Sequence, residues 1–172
     1  NEAIIEVPAG VTLNGGGYSI TADDWGNENK NKCHILAVKN SEADTTTTIK
    51  SLTIIGNENT KSGIHAYNCA GTIALEGVTI KNCGNAAVQV NGSTVTATDL
   101  TTEGNVWGAI NVDKGQNVQN AASFNLKSGK LGEDVKIWTE LTEGDVVTVP
   151  DSWITVYGSG KNAFAPSDSL PE

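Results

Sequence analysis

A loose repeat centred on residues 63–115 constrains the fold of this chain more than any other feature of its sequence. Triplets with apolar first and third residues recur every 22 to 28 positions, and turns rich in glycine and asparagine separate them. The first residues of one triplet series are Leu36, Ile64, Val88 and Ile110, and its third residues are Val38, Ala66, Val90 and Val112. A second series begins at Leu52, Val78 and Leu100. Because side chains alternate between the two faces of a strand, each triplet points its apolar residues to one side.

This repeat predicts an all-β fold, a right-handed single-stranded parallel β-helix, or solenoid. One turn of three short strands cannot bury its apolar side, whereas stacked turns form a continuous core. Equivalent residues would then lie about 4.8 Å apart, the spacing of paired strands. A leucine-rich repeat would return through a helix, and the segments between triplets are too short and too rich in glycine and asparagine for one. A β-sandwich would not require the same residue class at a fixed period.

We expect one domain in three parts. Residues 1–131 would form the coils, residues 132–164 would form C-terminal capping strands, and residues 165–172 would be a tail or a linker to a neighbouring domain. The cap is predicted because the period breaks after Gly115 and gives way to β-branched and aromatic segments. Without a cap, the last coil would expose strand edges and core.

Composition excludes some classes of partner. The net charge is −9 and all eleven basic residues are lysine, so the basic stripe that nucleic acid requires is missing. The same deficit argues against an acidic polysaccharide held by many cationic contacts. No apolar run approaches 18 residues, so we expect no membrane insertion.

The segment VPAGVTLNGGGYSI, at residues 7–20, resembles the opening coil of the pectin-lyase-like superfamily of right-handed parallel β-helix proteins. The segments SLTIIGN, GVTIKNCG and TDLTTEGN are similar to the middle coils of that superfamily, including an asparagine-type ladder at a turn, here Asn57, Cys83 and Asn105. The resemblance covers about residues 4–130 and is one of architecture. It implies the fold, and it implies that an oligosaccharide would lie along an outward sheet face.

The outward residues of the first strand in each coil form the candidate binding face, which we call the first-strand face. Ala37, His65, Gln89 and Asn111 are predicted to form one column, and Lys39, Tyr67, Asn91 and Asp113 the next. Amides, an imidazole and a phenol at such steps suit hydroxyl-rich ligands. Trp107, on the turn before this face, could add a stacking platform. The candidate glycan-binding residues are therefore His65, Tyr67, Gln89, Asn91, Trp107, Asn111 and Asp113.

We expect a non-catalytic structural or adhesive module of a secreted or cell-surface bacterial protein. Its partners would be a polysaccharide or glycoprotein glycan and neighbouring domains of a larger chain. The arginines that the resemblance would imply for lyases and methylesterases are absent, as are the NTD and GHG motifs of hydrolases. The alternative is a small carbohydrate-active enzyme of lyase type that uses Lys39 or Lys114 as base with Asp113.

Two weaker hypotheses concern other surfaces. An outward column of threonines is expected on another strand, and such a column resembles the surface of ice-binding proteins. It would begin at Thr12 and continue through Thr53, Thr79 and Thr101. Those proteins usually present two threonines per strand, and only one per strand is expected here. No cofactor is expected, except that the polar loop holding Asp23, Asp24 and Glu28 offers oxygen ligands for calcium.

Overall fold

A computed structural model of the chain describes residues 3–23, 33–115, 117–140, 144–158 and 161–166. Within these ranges all regular secondary structure is β-strand, and the strands form two sheets. Sheet A contains, in spatial order, β1 (Ala3–Pro8), β4 (His34–Lys39), β6 (Ile64–Tyr67), β8 (Val88–Asn91), β11 (Ile110–Asp113), β14 (Ile137–Thr139), β17 (Lys161–Pro166) and β16 (Trp153–Gly158). Sheet B contains β2 (Thr12–Asn14), β3 (Ser19–Thr21), β5 (Thr46–Ile55), β7 (Thr72–Lys81), β9 (Thr94–Thr98), β10 (Leu100–Glu103), β12 (Ser123–Leu126), β13 (Gly129–Leu131) and β15 (Val146–Thr148).

The chain is a parallel β-solenoid, as predicted. From β1 to β14 the neighbours in sheet A pair in parallel, and the paired strands of sheet B are also parallel. The registers place Leu36 beside Ile64, Ile64 beside Val88, and Val88 beside Ile110. All four side chains are buried, so the predicted inward column is confirmed.

Sheet B bends in the middle of each coil. Ser51, Gly77 and Asp99 occupy equivalent positions in successive coils, and their φ angles are 50°, 60° and 52°. These angles are left-handed, a conformation in which a non-glycine residue costs about 1–2 kcal/mol. The bend turns the chain around the core, and it separates β9 from β10 at Asp99.

The C-terminal end combines parallel and antiparallel pairing. Strands β14 and β15 still pair in parallel with β11 and β12, so they continue the two sheets of the coil. Antiparallel pairing begins with β17, which lies between β14 and β16. The β16–β17 hairpin therefore caps sheet A. No helix in the described ranges is long and apolar enough to cross a membrane.

The stacked core makes a direct prediction for Val88→Asp. Val88 is fully buried between Ile64 and Ile110, so an aspartate there would place a carboxylate without a partner in an apolar column. We expect a loss of about 4 kcal/mol or more in the free energy of unfolding, measured by denaturant titration. Thr96→Asp, at an outward position of β9, is the control and should cost far less. Equal stability of Val88→Asp and the unmodified chain would contradict the stacking.

Candidate functional site

The first-strand face has the alignment that the sequence predicts. Parallel pairing brings together one column of outward residues, Glu6, Ala37, His65, Gln89, Asn111 and Trp138. A second column contains Tyr67, Asn91 and Asp113. The structure therefore gathers six of the seven predicted residues on adjacent strands, spaced about 4.8 Å per strand.

The polar residues of this face are more buried than their outward positions suggest. His65 and Asn111 are each 3% exposed and Asn91 is 5% exposed, while Gln89 and Asp113 are half-buried. Buried polar groups are costly unless they are hydrogen-bonded, so most of these side chains must find partners within the face.

Asn91 is the centre of the resulting hydrogen-bond network. Its Oδ1 lies 3.0 Å from His65 Nε2 and accepts a 3.0 Å hydrogen bond from Gln89 Nε2. Asn91 Nδ2 donates to the backbone oxygen of Asp113 at 3.2 Å. Gln89 Oε1 in turn accepts from Ser62 Oγ at 3.0 Å. These contacts fix the rotamers of side chains on β6 and β8 and tie Asn91 to the backbone of β11.

Two imidazoles stack beside the network. The ring centroids of His34 and His65 are 4.0 Å apart with 25° between the planes, and His34 Nδ1 accepts the Ser62 N–H at 3.3 Å. Burial lowers the pKa of His34 to about 3. Burial also lowers the pKa of His65, although the Asn91 hydrogen bond acts in the opposite direction. Both rings are therefore neutral at pH 7. Asn91 Nδ2 donates to the Asp113 backbone oxygen, so the atom that faces His65 is Asn91 Oδ1, which can only accept. We therefore place the His65 proton on Nε2, where it donates to Asn91 Oδ1.

Asn111 and Asp113, on β11, form the most unusual rung of the face. Asn111 Nδ2 is fully buried and makes no hydrogen bond of good geometry within the described residues, but the Asn111 side chain lies close enough to Asp113 to hydrogen-bond to its carboxyl group. Asp113 Oδ1 accepts the backbone N–H of Gly115 and a longer, 3.4 Å hydrogen bond from Asn91 Nδ2. Burial is the largest cause that raises the pKa of Asp113, and the charges of Glu140 and Asp145 also raise it, whereas the hydrogen bonds from the Gly115 N–H and the Asn111 side chain lower it.

Sequence reasoning missed Trp138. The half-buried Trp138 continues the column of His65, Gln89 and Asn111 at its C-terminal end. Its signal was present in the sequence, because Ile137 begins an in–out–in triplet 27 residues after Ile110. The break in the period after Gly115 predicts instead that this triplet belongs to the cap. Ser62 and His34, which brace Gln89 and His65, carried no comparable signal.

Trp107 is separate from the two columns. It lies in the turn between β10 and β11, 52% exposed, and its backbone N–H donates to the Asn85 oxygen at 3.3 Å. The same turn contains the predicted ladder, in which Asn105 Oδ1 accepts the Cys83 N–H at 2.9 Å. Trp107 therefore marks the corner that leads into the first-strand face.

Of the two lysines predicted as a lyase base, Lys39 lies far from Asp113 and Lys114 is its neighbour in sequence. Lys39 forms an ion pair with Glu6 at the N-terminal end of the face. Asp113 lies three strands further along sheet A, a separation of about 14 Å. Lys114 follows Asp113 directly, and its backbone N–H donates to Asp145 Oδ2 at 3.1 Å. Lys39 therefore does not face the carboxyl group with which it was predicted to act.

Metal ligands do not converge in the described ranges, where no group of three His, Cys, Asp or Glu residues could hold an ion. Of the three calcium candidates, Asp23 is exposed on the surface. Asp24 and Glu28 lie outside the described residues. Cys69 and Cys83 are buried free thiols, and burial raises the pKa of Cys83 to about 12.

The threonine array on sheet B is larger than predicted, and a different residue begins its main column. Thr53, Thr79 and Thr101 stack as expected, but Ser19 leads their column, while Thr12 pairs with Thr48. The glycine corner between β2 and β3 causes this difference, because it places Thr12 before the bend and Ser19 after it.

The expectation of one outward threonine per strand is wrong for β9. Thr94, Thr96 and Thr98 all point outward there, because Val95 and Ala97 fill the buried positions between them. Thr94 pairs with Thr72, and Thr72 pairs with Thr46. The array is therefore several columns wide.

No known protein family, curated protein or solved structure matches the chain. The fold and the face together define a parallel β-solenoid with a preorganised polar face. The structure supports the resemblance to the pectin-lyase-like superfamily only at the level of the parallel β-solenoid fold.

The histidine stack predicts acid sensitivity. The folded-state pKa of His34 is far below its unfolded value of 6.5, so the stability that its neutral form contributes is complete above pH 6.5 and is lost progressively as the pH falls toward 3. Between pH 6.5 and 5 this loss should reach about 2 kcal/mol. Thermal unfolding across this window should be less pH-dependent in His34→Asn, which keeps an acceptor for the Ser62 N–H. The same pH dependence in both proteins would contradict this account.

Proposed function

We propose that this chain is a non-catalytic β-solenoid module of a secreted or cell-surface bacterial protein, and that it binds a glycan along the first-strand face. One observation carries the proposal. Between the rings of Tyr67 and Trp138, the amides of Gln89 and Asn91 and the carboxyl group of Asp113 are held in place by mutual hydrogen bonds. Such a surface offers donors and acceptors without requiring side chains to become ordered on binding.

The spacing of the face suits an extended ligand. From β6, which carries Tyr67, to β14, which carries Trp138, there are three strand spacings, or about 14 Å. The strands between them carry the half-buried Gln89 and Asp113, which lie on adjacent strands about 4.8 Å apart, beside the buried Asn91 and Asn111. An amide both donates and accepts and a carboxylate accepts, so each of these two strands can hydrogen-bond to hydroxyl groups of a repeating sugar chain.

The aromatic residues provide the apolar contact that such a ligand needs. Tyr67 is 36% exposed, and its ring contacts the His65 ring at a centroid distance of 5.5 Å. The buried His65 braces Tyr67 from below. An aromatic ring with a polar tip is well suited to a surface that is partly apolar and partly wet.

Binding is favoured over catalysis by the distances along sheet A. Lys39, one of the two predicted bases, is paired with Glu6 and lies three strands from Asp113. A general base must come within hydrogen-bond reach of the proton that it removes, and the two groups would also have to act on one sugar. The lyase remains the alternative, and cleavage products from any glycan that binds would support it.

A glycan array probed with the full chain, with and without calcium, tests the proposal. We expect binding that falls at least tenfold in Tyr67→Ala and in Trp138→Ala, because each variant removes a ring contact. Tyr18→Ala is the matched control, since Tyr18 is 79% exposed on a sheet B corner. Trp107→Ala shows whether the turn between β10 and β11 contributes to glycan binding. Binding that survives both ring variants, or no binding to any glycan, would overturn the proposal.

The threonine array of sheet B favours a second candidate, ice binding. Thr94, Thr96 and Thr98 present hydroxyl and methyl groups at regular steps on one strand. This candidate predicts that the chain inhibits ice recrystallisation and that Thr96→Lys abolishes the effect, because a long charged side chain would project from the array. Glu58→Lys, on an exposed turn, is the control. Normal ice growth in the presence of the unmodified chain removes this candidate.

A further inference from the structure

We propose that Asn68 and Asn120 form a further sugar-binding site beside Tyr67, and that this amide pair selects neutral sugar chains in which neighbouring hydroxyl groups are free. The inference rests on the proposed function and deepens it, because it names the chemistry of the sugar at the Tyr67 end of the first-strand face. The two asparagines are 52 positions apart in the chain, and the loop after β11 brings them together.

This loop runs back along the ends of the strands that carry the first-strand face. Val118 is buried over Gly92, which directly follows β8, and any side chain at position 92 would collide with it. Further along the loop, Asn120 reaches Asn68, which directly follows β6. Residues 117–121 therefore form a border of the face from β8 to β6.

The border is fixed before any ligand arrives. The carboxyl group of Asp145 accepts the backbone N–H of Lys114 at 3.1 Å and that of Ala122 at 2.7 Å, so it joins the two ends of the loop. Gly92 has a φ angle of 52°, a left-handed conformation that glycine adopts readily, and its bare backbone leaves the space that Val118 fills. A loop that is already ordered loses little freedom on binding.

The amide pair offers one donor and one acceptor to a ligand. Asn120 Nδ2 donates to Asn68 Oδ1 at 3.3 Å, and both residues are exposed. This hydrogen bond leaves Asn68 Nδ2 as a donor and Asn120 Oδ1 as an acceptor. Two neighbouring hydroxyl groups of one sugar ring can satisfy both atoms together, because one hydroxyl accepts while the other donates. A sugar in which a linkage occupies one of the two positions can satisfy only one of them.

The surroundings of the pair favour a neutral sugar that also stacks on a ring. Amides bind without charge, and the net charge of the chain is −9, so an anionic sugar chain would be repelled by the protein as a whole. Tyr67 directly precedes Asn68 and is 36% exposed, so its ring can contact the apolar side of the same sugar. The ring would bind one side of the sugar and the amide pair its hydroxyl groups.

Three hexasaccharides test this chemistry in calorimetric titrations of the full chain. Cellohexaose is a neutral β-1,4-linked glucose chain with two neighbouring free hydroxyl groups on every sugar. Laminarihexaose is also neutral, but its β-1,3 linkage removes that pair from its internal sugars. Hexagalacturonate keeps the pair and is anionic. We expect cellohexaose to bind at least tenfold more tightly than each of the others, because it alone combines the hydroxyl pair with neutrality.

The ratio of the cellohexaose and laminarihexaose affinities assigns the effect to the amide pair. Asn120→Ala should weaken cellohexaose binding about tenfold and leave laminarihexaose binding nearly unchanged. Its thermal stability should also be nearly unchanged, because the hydrogen bond that it removes is exposed. Gln119→Ala removes another exposed amide from the same loop and is the matched control, with the affinity ratio of the unmodified chain.

Val118 acts as a positioning residue, since it holds the loop and does not contact the sugar. Val118→Ser should lower the affinity ratio as Asn120→Ala does, and the combined variant should lower it no further, because both changes remove the same contact. A loss of stability alone would weaken the binding of both neutral hexamers equally and leave the ratio unchanged.

The outcomes distinguish this inference from the proposed function. Equal binding of the two neutral hexamers, an unchanged affinity ratio in Asn120→Ala, or an equal loss in Gln119→Ala would overturn the amide-pair site and leave the glycan face in place. Hexagalacturonate binding as tight as that of cellohexaose would overturn the preference for a neutral chain. If neither neutral hexamer binds, the inference fails, whereas the proposed function fails only if the glycan array shows no binding either.

Discussion

The whole structure depends on the in-register stacking of aliphatic side chains along the inside of the coil. Leu36, Ile64, Val88 and Ile110 form one such column, and each is almost completely buried. Their registers are fixed because a shift by one residue would turn every apolar side chain of a strand outward. The parallel ladder then transmits this register to the outer surface, where His65, Gln89 and Asn111 are forced into a column of their own.

The outer column differs from an ordinary solvated face because its side chains bind one another. Asn91 accepts from Gln89, lies 3.0 Å from His65 Nε2 and donates to the Asp113 backbone oxygen, so a single amide links three strands. Burial of these groups keeps both histidines neutral and raises the pKa of Asp113. The core thus determines where the polar groups lie, and the hydrogen-bond network determines how firmly they are held.

The alignment of residues between coils could be predicted from the sequence, whereas the burial and the hydrogen-bond partners of the outward side chains could not. The two-residue alternation in the triplets identified the inward and outward columns, including His65 and Asn91. Their burial could not be predicted, because it arises from contacts between strands that are distant in sequence, such as the stacking of His34 on His65. Thr12 was assigned to the wrong column, since the glycine corner before Tyr18 shifts the strand that follows. The place of Trp138 in the outward column could not be predicted, because the period of the triplets breaks after Gly115 and the strand that follows reads as part of the cap.

Nuclear magnetic resonance of the side-chain amides tests the central claim, that the first-strand face is a preorganised binding site. The resonances of Gln89 and Asn91 would be followed while a glycan that binds the chain is added, with Asn57, which is bonded to the backbone of Ala22, as an internal control. The account predicts slow amide rotation for Asn91 before any ligand is present, and a large shift on binding for the half-buried Gln89. Shifts confined to residues outside sheet A, or an Asn91 amide that rotates freely, would contradict it.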